Sequence, residues 1–281
     1  MLTFLKAGIY TTVQDAGRFS GAHLGIPISG PMDAQSAKLA NLTLENSEND
    51  ALLECTFEGP TIKFHEPTFI AIKGAAITVY LNDKIIDHSG AIQVIAEDTL
   101  SFGRVEKGCR FYIAVKGGIQ SDVVFGSRST CLTAGILKPM AKGDQLNYKP
   151  YSEVSVTSFS LNRIVGNSIL NVSKGPEFSI LNAAQKNQLL AGNYTILPSS
   201  NRMAYRVKHS IDLAHSYSML SSGTLPGTVQ LTPSGDVICL MRDTQTTGGY
   251  LRILQLTEEA ICDLAQLAPN EIFKLKLIEI S

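Results

Sequence analysis

Three short stretches concentrate the side chains of this 281-residue chain that are suited to chemistry. The first runs Thr11-Thr12-Val13-Gln14-Asp15-Ala16-Gly17-Arg18 and continues through His23-Leu24-Gly25-Ile26-Pro27-Ile28-Ser29-Gly30-Pro31-Met32-Asp33. Asp15 and Arg18 stand three residues apart around a glycine, a spacing at which a turn brings carboxylate and guanidinium together. Such a carboxylate can orient or deprotonate an attacking group when its charge is balanced nearby. The Ser29-Gly30-Pro31 loop then delivers the chain to a helix start, whose unpaired N–H groups can hold a carboxylate or phosphate. A purely structural turn held by an Asp–Arg pair accounts for the same spacing.

The second stretch, Ser199 to Arg206, packs Asn201, Arg202, Tyr205 and Arg206 together just after Pro198. An arginine can clamp a planar anion with two hydrogen bonds. On a strand, Arg202 and Arg206 share one face and Met203 and Tyr205 the other. A solvated strand with snorkelling arginines fits equally well. The third stretch is Asp243-Thr244-Gln245-Thr246-Thr247-Gly248-Gly249-Tyr250, directly after the apolar run Val237 to Met241. Gly248 and Gly249 let backbone approach a ligand closely, and Gln245, Thr246 and Thr247 supply small donors. A hairpin turn explains the glycines but not the Gln-Thr-Thr run. Asp15, Arg18, Arg202 and Gln245 are therefore the candidate catalytic residues. Ser29, Gly30, Asn201, Tyr205, Thr246, Thr247, Gly248, Gly249 and Tyr250 are candidate substrate contacts. The expectation is one pocket that gathers Asp15, Arg18, Arg202, Gln245 and Thr246.

More familiar chemistries have no sequence signal. There is no GxGxxG, P-loop, GxSxG or HExxH. His23, His65, His88, His209 and His215 lack metal-ligand spacing, so no metal site is expected. Cys55, Cys109, Cys131, Cys239 and Cys262 are odd in number and form no CxxC, which reads as reduced core thiols in a cytoplasmic protein.

The elements that must position these stretches read as strands for the most part. Thr61 to His65, Ala91 to Val94 and Phe273 to Leu277 alternate apolar and polar. Val79–Leu81 and Lys84–Ile86 flank Asn82-Asp83, a pair that tolerates the positive φ of a tight hairpin. Short strands punctuated by Gly and Pro argue for barrels or sandwiches rather than βαβ units. Three helices are expected. One follows Pro31 and Asp33 to about Leu44, one spans Glu177 to Leu190 with Gly192 at its C′ position, and one starts near Thr257. A domain boundary near residue 160 divides the chain into 1–160 and 161–281. Gly25 to Gly30 faintly echoes Gly223 to Gly227, too weakly to make a repeat.

Composition narrows the function classes. Hydrophobic residues make up 44% and charged residues 17%, the profile of a globular chain with a filled interior. Basic and acidic residues number 14 and 16 over the first 160 positions and 10 and 9 thereafter, so neither half offers nucleic acid or an anionic membrane an electrostatic partner. No apolar run approaches the ~20 residues of a membrane span, and the first residues do not read as a signal peptide.

The ordered blocks together resemble the KipA-like family, which includes the C subunit of 5-oxoprolinase, the second subunit of allophanate hydrolases and part of the carboxyltransferase domain of urea carboxylase. Gln14 to Arg18 matches its Gln-Asp-x-Gly-Arg, and Gly25 to Asp33 its Gly-x-Pro-x-Ser-Gly-x-Met-Asp. Leu53-Glu54, Gly59 to Thr61, Gly126 to Thr130, Ser200 to Arg206, Pro226 to Gln230 and Gln245 to Tyr250 follow in order. Asn201 stands where the family usually has Asp, Ala204 where it has Gly, and Arg242 where Ala is common. The resemblance implies a mainly β chain of two cyclophilin-like β-barrel domains. It implies one chain of an ATP-dependent 5-oxoprolinase, working with a KipI-like subunit and a LamB/YcsF-like subunit, with ATP bound with or by a partner. It leaves two alternatives: a carboxyltransferase subunit for biotin carried on another chain, and a non-enzymatic regulator that binds a KipI-like kinase inhibitor.

Overall fold

A computed structural model describes residues 1–152 and 166–279. The chain is mainly β, as its alternation implies, with three short α-helices among the described residues. It forms two compact units. One holds Met1–Ser20 and residues 29–152; the other holds Gly21–Ile28 and the chain from Gly166 onward. The boundary expected near residue 160 lies outside the described residues.

The first unit contains β1 (Leu2–Lys6), β2 (Tyr10–Gln14), β3 (Leu52–Thr56), β4 (Thr61–Phe64), β5 (Thr68–Leu81), β6 (Lys84–Ile85), β7 (Ile92–Val94), β8 (Thr99–Val115) and β9 (Gln145–Leu146). They make one nine-stranded sheet of order β2-β3-β8-β4-β1-β9, with β5 on β8 carrying β6 and β7. One face buries Leu2, Phe4, Leu53, Phe64, Ile72 and Phe111. The opposite face, set by the strand period of two, presents Ala71, Tyr112 and Ala114 to Ala37, Ala40 and Leu44 at helix α1 (Ala34–Thr43). The Asp33 side chain caps α1 by accepting from the Ser36 amide at 3.1 Å. Asn82 and Asp83 turn between β5 and β6 with φ of 51° and 62°, the primed hairpin their types predict. This sheet curls without closing, so among the described residues the second unit alone forms a complete barrel.

The second unit contains β10 (Ile169–Lys174), β11 (Tyr194–Ile196), β12 (Ala204–Lys208), β13 (Ser222–Gly223), β14 (Thr228–Leu231), β15 (Val237–Leu240), β16 (Thr247–Gly248), β17 (Leu251–Leu256) and β18 (Ile272–Leu277). Seven of these close a barrel in the order β10-β17-β14-β15-β12-β11-β18. Among the described strands of the barrel, β10 and β18 pair in parallel and the other neighbours are antiparallel. β13 and β16 form a separate ribbon. Helix α2 is shorter than its sequence suggests, Ala183–Ala191 rather than Glu177 to Leu190. Asn182 and Gln185 form a capping box that starts it late, and a 3-10 turn, Phe178–Ile180, precedes it. Gly192 is extended rather than left-handed, and a Cβ there would press on the end of the Ile211 side chain. Helix α3 (Glu258–Ala265) begins as expected, with Thr257 accepting from the Ala260 amide.

All five cysteines are buried thiols outside any disulfide, in line with the reading of core thiols. Burial pushes the Cys239 thiol up to about 12. No helix among the described residues is long and apolar enough to cross a membrane.

Candidate functional site

The Asp15 turn belongs to the first unit, at the end of β2. Oδ1 of Asp15 accepts from the Gly17 amide at 3.0 Å and from the hydroxyls of Ser127 and Ser129 at 2.5 and 2.7 Å. Oδ2 accepts from the Arg128 amide at 2.6 Å. Three of these four donors crowd Oδ1 and one reaches Oδ2, so Oδ1 is saturated while Oδ2 accepts a single bond among the described residues. Arg18 is fully buried and does not pair with Asp15; it donates from Nε to Val124 O at 3.0 Å and from Nη2 to Ser129 O at 2.6 Å. The turn is thus not held by an Asp–Arg pair. Both residues instead grip the segment from Val124 to Ser129, more than a hundred positions away in sequence.

The Ser29-Gly30 corner holds two residues in the left-handed region. Ser29 is buried with φ of 61°, and its hydroxyl finds no partner among the described residues. Gly30 has φ of 89°, and a Cβ on it would stand 3.2 Å from the Asp15 carbonyl. Glu54 fixes the Met32-Asp33 segment beyond that corner. Its Oε2 accepts from the Met32 amide at 2.7 Å and from the Tyr112 hydroxyl at 2.9 Å, while the Asp33 amide donates to Tyr112. Burial, reinforced by the Glu54 charge, pushes the Tyr112 hydroxyl up, so it stays protonated and donates.

In the second unit Arg202 is not an open clamp. Nε and Nη2 fork onto Asp243 at 2.9 and 3.0 Å, and both side chains are buried. Arg202 precedes β12, whose Tyr205 is buried in the barrel wall and whose Arg206 is exposed. Asn201 Oδ1 accepts from the amides of Met203 and Ala204, a turn that an amide oxygen closes as a carboxylate would. The departure from Asp at this position therefore leaves the turn intact.

The Gln245 loop borders a cavity of about 380 Å³, all of whose walls belong to the second unit. Thr244, Gln245 and Thr246 line one side, and Thr224, Leu225 and Pro226 another. Pro27 and Ile28 close it, so the two faintly similar segments, Gly25 to Gly30 and Gly223 to Gly227, meet in one place. Thr224 holds the loop, donating its hydroxyl to the Gln245 carbonyl and its amide to the Thr246 carbonyl. Arg242, at the cavity edge, is ion-paired with Glu258 of α3.

One buried polar group lining this cavity, the Thr244 hydroxyl, lacks a hydrogen-bond partner among the described residues, and so does the Nε2 amide of Gln230 on β14, beside Gly248 rather than in the cavity wall. Such groups are costly unless something else satisfies them. Gln230 Nε2 lies 2.6 Å from where a Cβ on Gly248 would be, and Gln245 Nε2 lies 3.2 Å from the same point. A methyl on Gly248 would thus displace the ends of both glutamine side chains, which converge on its open face. Gln230 closes the Pro226 to Gln230 block that resembles the family, but that block does not mark it as a candidate site residue. Gly249 is open and Tyr250 exposed. The cavity thus combines apolar walls with amide and hydroxyl groups, an arrangement suited to a small ring bearing a carbonyl. Asp15 and Arg18 stand in the first unit, and Arg202 is engaged with Asp243; of the residues expected to share one pocket, Gln245 and Thr246 line this one.

Comparison with known proteins covers both units. The family described as carboxyltransferase domain, subdomain A and B, matches residues 24–277. The C subunit of 5-oxoprolinase from Escherichia coli K12 is 33% identical over 272 residues, covering 95% of this chain and 88% of that protein. Urea amidolyase of Lachancea kluyveri is 47% identical over 124 residues, 44% of this chain but 7% of that protein. Among solved structures, the crystal structure of TTHA0988 superimposes with a TM-score of 0.89 at 28% identity, matching 98% of this chain but 55% of that protein.

Proposed function

Because this chain belongs to the carboxyltransferase domain family, subdomains A and B, we propose that it is the C subunit of an ATP-dependent 5-oxoprolinase, which opens the lactam of 5-oxoproline to glutamate. The observation that carries this reading is the similarity to a C subunit of 5-oxoprolinase along nearly the full length of both chains. KipI-like and LamB/YcsF-like subunits complete the complex, and ATP is bound with or by one of them. In this reading a lactam carbonyl sits in the Gln245 cavity. As water adds, charge builds on that carbonyl oxygen and needs fixed donors in a site shielded from solvent. The amides of Gln245 and Gln230 and the hydroxyl of Thr244 are the groups suited to serve. Because an amide is a poor electrophile, ATP would first transfer its γ-phosphoryl group to that oxygen with release of ADP. Water would then add at the carbon, the C–N bond would break to open the ring, and a second water would release phosphate and glutamate, the same donors facing the phosphoryl oxygens throughout.

A second reading follows from the similarity to urea amidolyase: a carboxyltransferase that moves a carboxyl group from carboxybiotin, carried on another chain, to urea or an amide. The test is co-expression with the two partner subunits and an ATP-dependent assay of 5-oxoproline turnover. Glutamate formation that requires all three chains supports the first reading. Inactivity there, with urea carboxylation once a biotin carboxylase and biotin carrier are added, favours the second.

A further inference from the structure

A second pocket lies wholly within the first unit, apart from the Gln245 cavity. Its volume is about 260 Å³, and Lys73, Asp87, His88 and Ser89 line it beside Ser36 of α1. This is below the 300–1,000 Å³ of drug-sized sites, which restricts an occupant to a small metabolite. Lys73 is an unusual residue for its position. It sits on the α1 face of β5, two residues after the core residue Ala71, and is 6% exposed. The strand bulges immediately after it: register with β8 shifts between Gly74 and Ala76, and Gly74 takes φ of 118°. Bulges re-aim side chains and are frequent beside functional sites.

Loop 87–89 lies against the ammonium. Lys73 Nζ donates to the Ser89 carbonyl at 2.5 Å. Asp87 shapes that loop, accepting from the Ser89 amide at 3.1 Å and the Ser89 hydroxyl at 2.7 Å. Lys73 is thus buried, while Asp87 is exposed. His88 is held below its ordinary value, first by burial and then by the Lys73 charge, against the opposing pull of Asp87. It is therefore a neutral hydrogen-bonding group at neutral pH. Burial likewise lowers the Lys73 ammonium, with Asp87 partly compensating; an anion beside it would relieve that penalty. The Ser36 hydroxyl is already given to Asp33.

We propose that this pocket binds a small amino-carboxylate, its carboxylate against Lys73 and His88 and its ammonium toward Asp87. Charge runs from positive inside to negative outside, which matches a zwitterion and disfavours a dianion such as phosphate. Nothing in this assignment depends on the Gln245 cavity or on 5-oxoproline chemistry. The test is to titrate the full chain with L-glutamate and, separately, with glutarate, which lacks the ammonium, following the His88 ring resonances by NMR. Saturable shifts with glutamate, and weaker ones with glutarate, are expected. Lys73→Met should weaken glutamate by at least about tenfold, the scale of one charge-assisted contact. Asp87→Asn, which keeps one acceptor oxygen for the Ser89 amide while removing the charge, should weaken glutamate several-fold and spare glutarate, with the glutarate titration controlling for any change in the loop. Absence of binding by either compound, equal affinity for both, or unchanged glutamate affinity in both variants would overturn the proposal.

Discussion

Arg202 and Asp243, 41 residues apart, are locked together by two parallel hydrogen bonds of 2.9 and 3.0 Å, almost out of solvent. The Asp243 amide also donates to the Arg202 carbonyl at 2.9 Å, so backbone and side chains tie the start of β12 to the loop carrying Gln245. Removing one partner of a buried pair strands the other charge. Arg202→Ala should therefore lower unfolding free energy by about 3–5 kcal/mol, seen as a lower urea midpoint in the isolated chain. The double variant Arg202→Met with Asp243→Leu should recover most of that loss. If Arg202→Ala instead keeps full stability and only slows the assembled complex, the pair is not scaffolding.

Glu177 and Arg252 offer a smaller, pH-dependent test. Nη2 and Nε of Arg252 donate to the two Glu177 carboxylate oxygens at 2.8 and 3.0 Å. Hydrogen bonding from Arg252 holds the Glu177 carboxyl below the usual carboxylate range, against the opposing cost of burial. A depressed folded-state value means the contribution is present above the unfolded-state value, near ~4.3, and is lost as pH falls through the folded one. Both side chains are partly solvated, so about 1 kcal/mol is the scale. Glu177→Gln should lower stability by that amount at neutral pH and by progressively less as the medium is acidified below the unfolded-state value. A difference that stays constant down to strong acid would contradict it.

The fold is legible in the sequence where local chemistry decides it. Asn82-Asp83 dictates its turn because both types accept positive φ, and Asp33 and Thr257 announce their helices because a capping oxygen must precede the first turn. The late start of α2 is also written in the chain, as Asn182 and Gln185. The acidic Glu177 suggests an earlier start, but that carboxylate serves Arg252 instead. Sequence does not convey the choice of distant partners. Spacing sets Asp15 against Arg18 three residues away, yet its donors include Ser127, Arg128 and Ser129. Gly25 to Asp33 looks like one motif, yet Gly21–Ile28 groups with the second unit and the remainder with the first. An unpartnered amide such as that of Gln230 is a property of a packed environment and leaves no trace in spacing.

The second unit exposes a cluster of apolar side chains close to the Gln245 loop. Leu220 is 90% exposed and Leu225 62%, with Tyr217 and Tyr250 also accessible. β13 and β16 bring the segments bearing these residues side by side. Exposed leucines next to a candidate site are expected to be covered by a partner. Leu220→Asp with Leu225→Asp should leave the unfolding of the isolated chain unchanged and, on the proposed reading, weaken capture of a KipI-like subunit by about 30-fold or more, the scale of a lost hot spot. Undiminished co-purification would rule out this face as the docking surface.

Gln230 separates a functional polar group from a structural one. Its buried amide nitrogen lacks an acceptor among the described residues, and filling that position with an apolar side chain of similar size removes an unsatisfied donor. Gln230→Met should therefore leave the isolated chain as stable as before or somewhat more stable. If the amide is reserved for charge that appears only during reaction, the same substitution should slow the assembled complex by about 10²-fold, the scale of one oxyanion donor. Gly248→Ala approaches the same point from the other side. Its new methyl would fall 2.6 Å from Gln230 Nε2 and 3.2 Å from Gln245 Nε2, so both amides must move. It should cost the fold about 1–3 kcal/mol from overpacking and the reaction at least as much rate as Gln230→Met. Gln245→Ala should slow turnover by a similar factor with little stability cost, because its side chain is only partly buried. The three variants are measured by urea denaturation of the free chain and by kcat of the complex. Stability lost in Gln230→Met, with kcat unchanged, would make Gln230 a structural residue and move the reacting carbonyl away from this cavity.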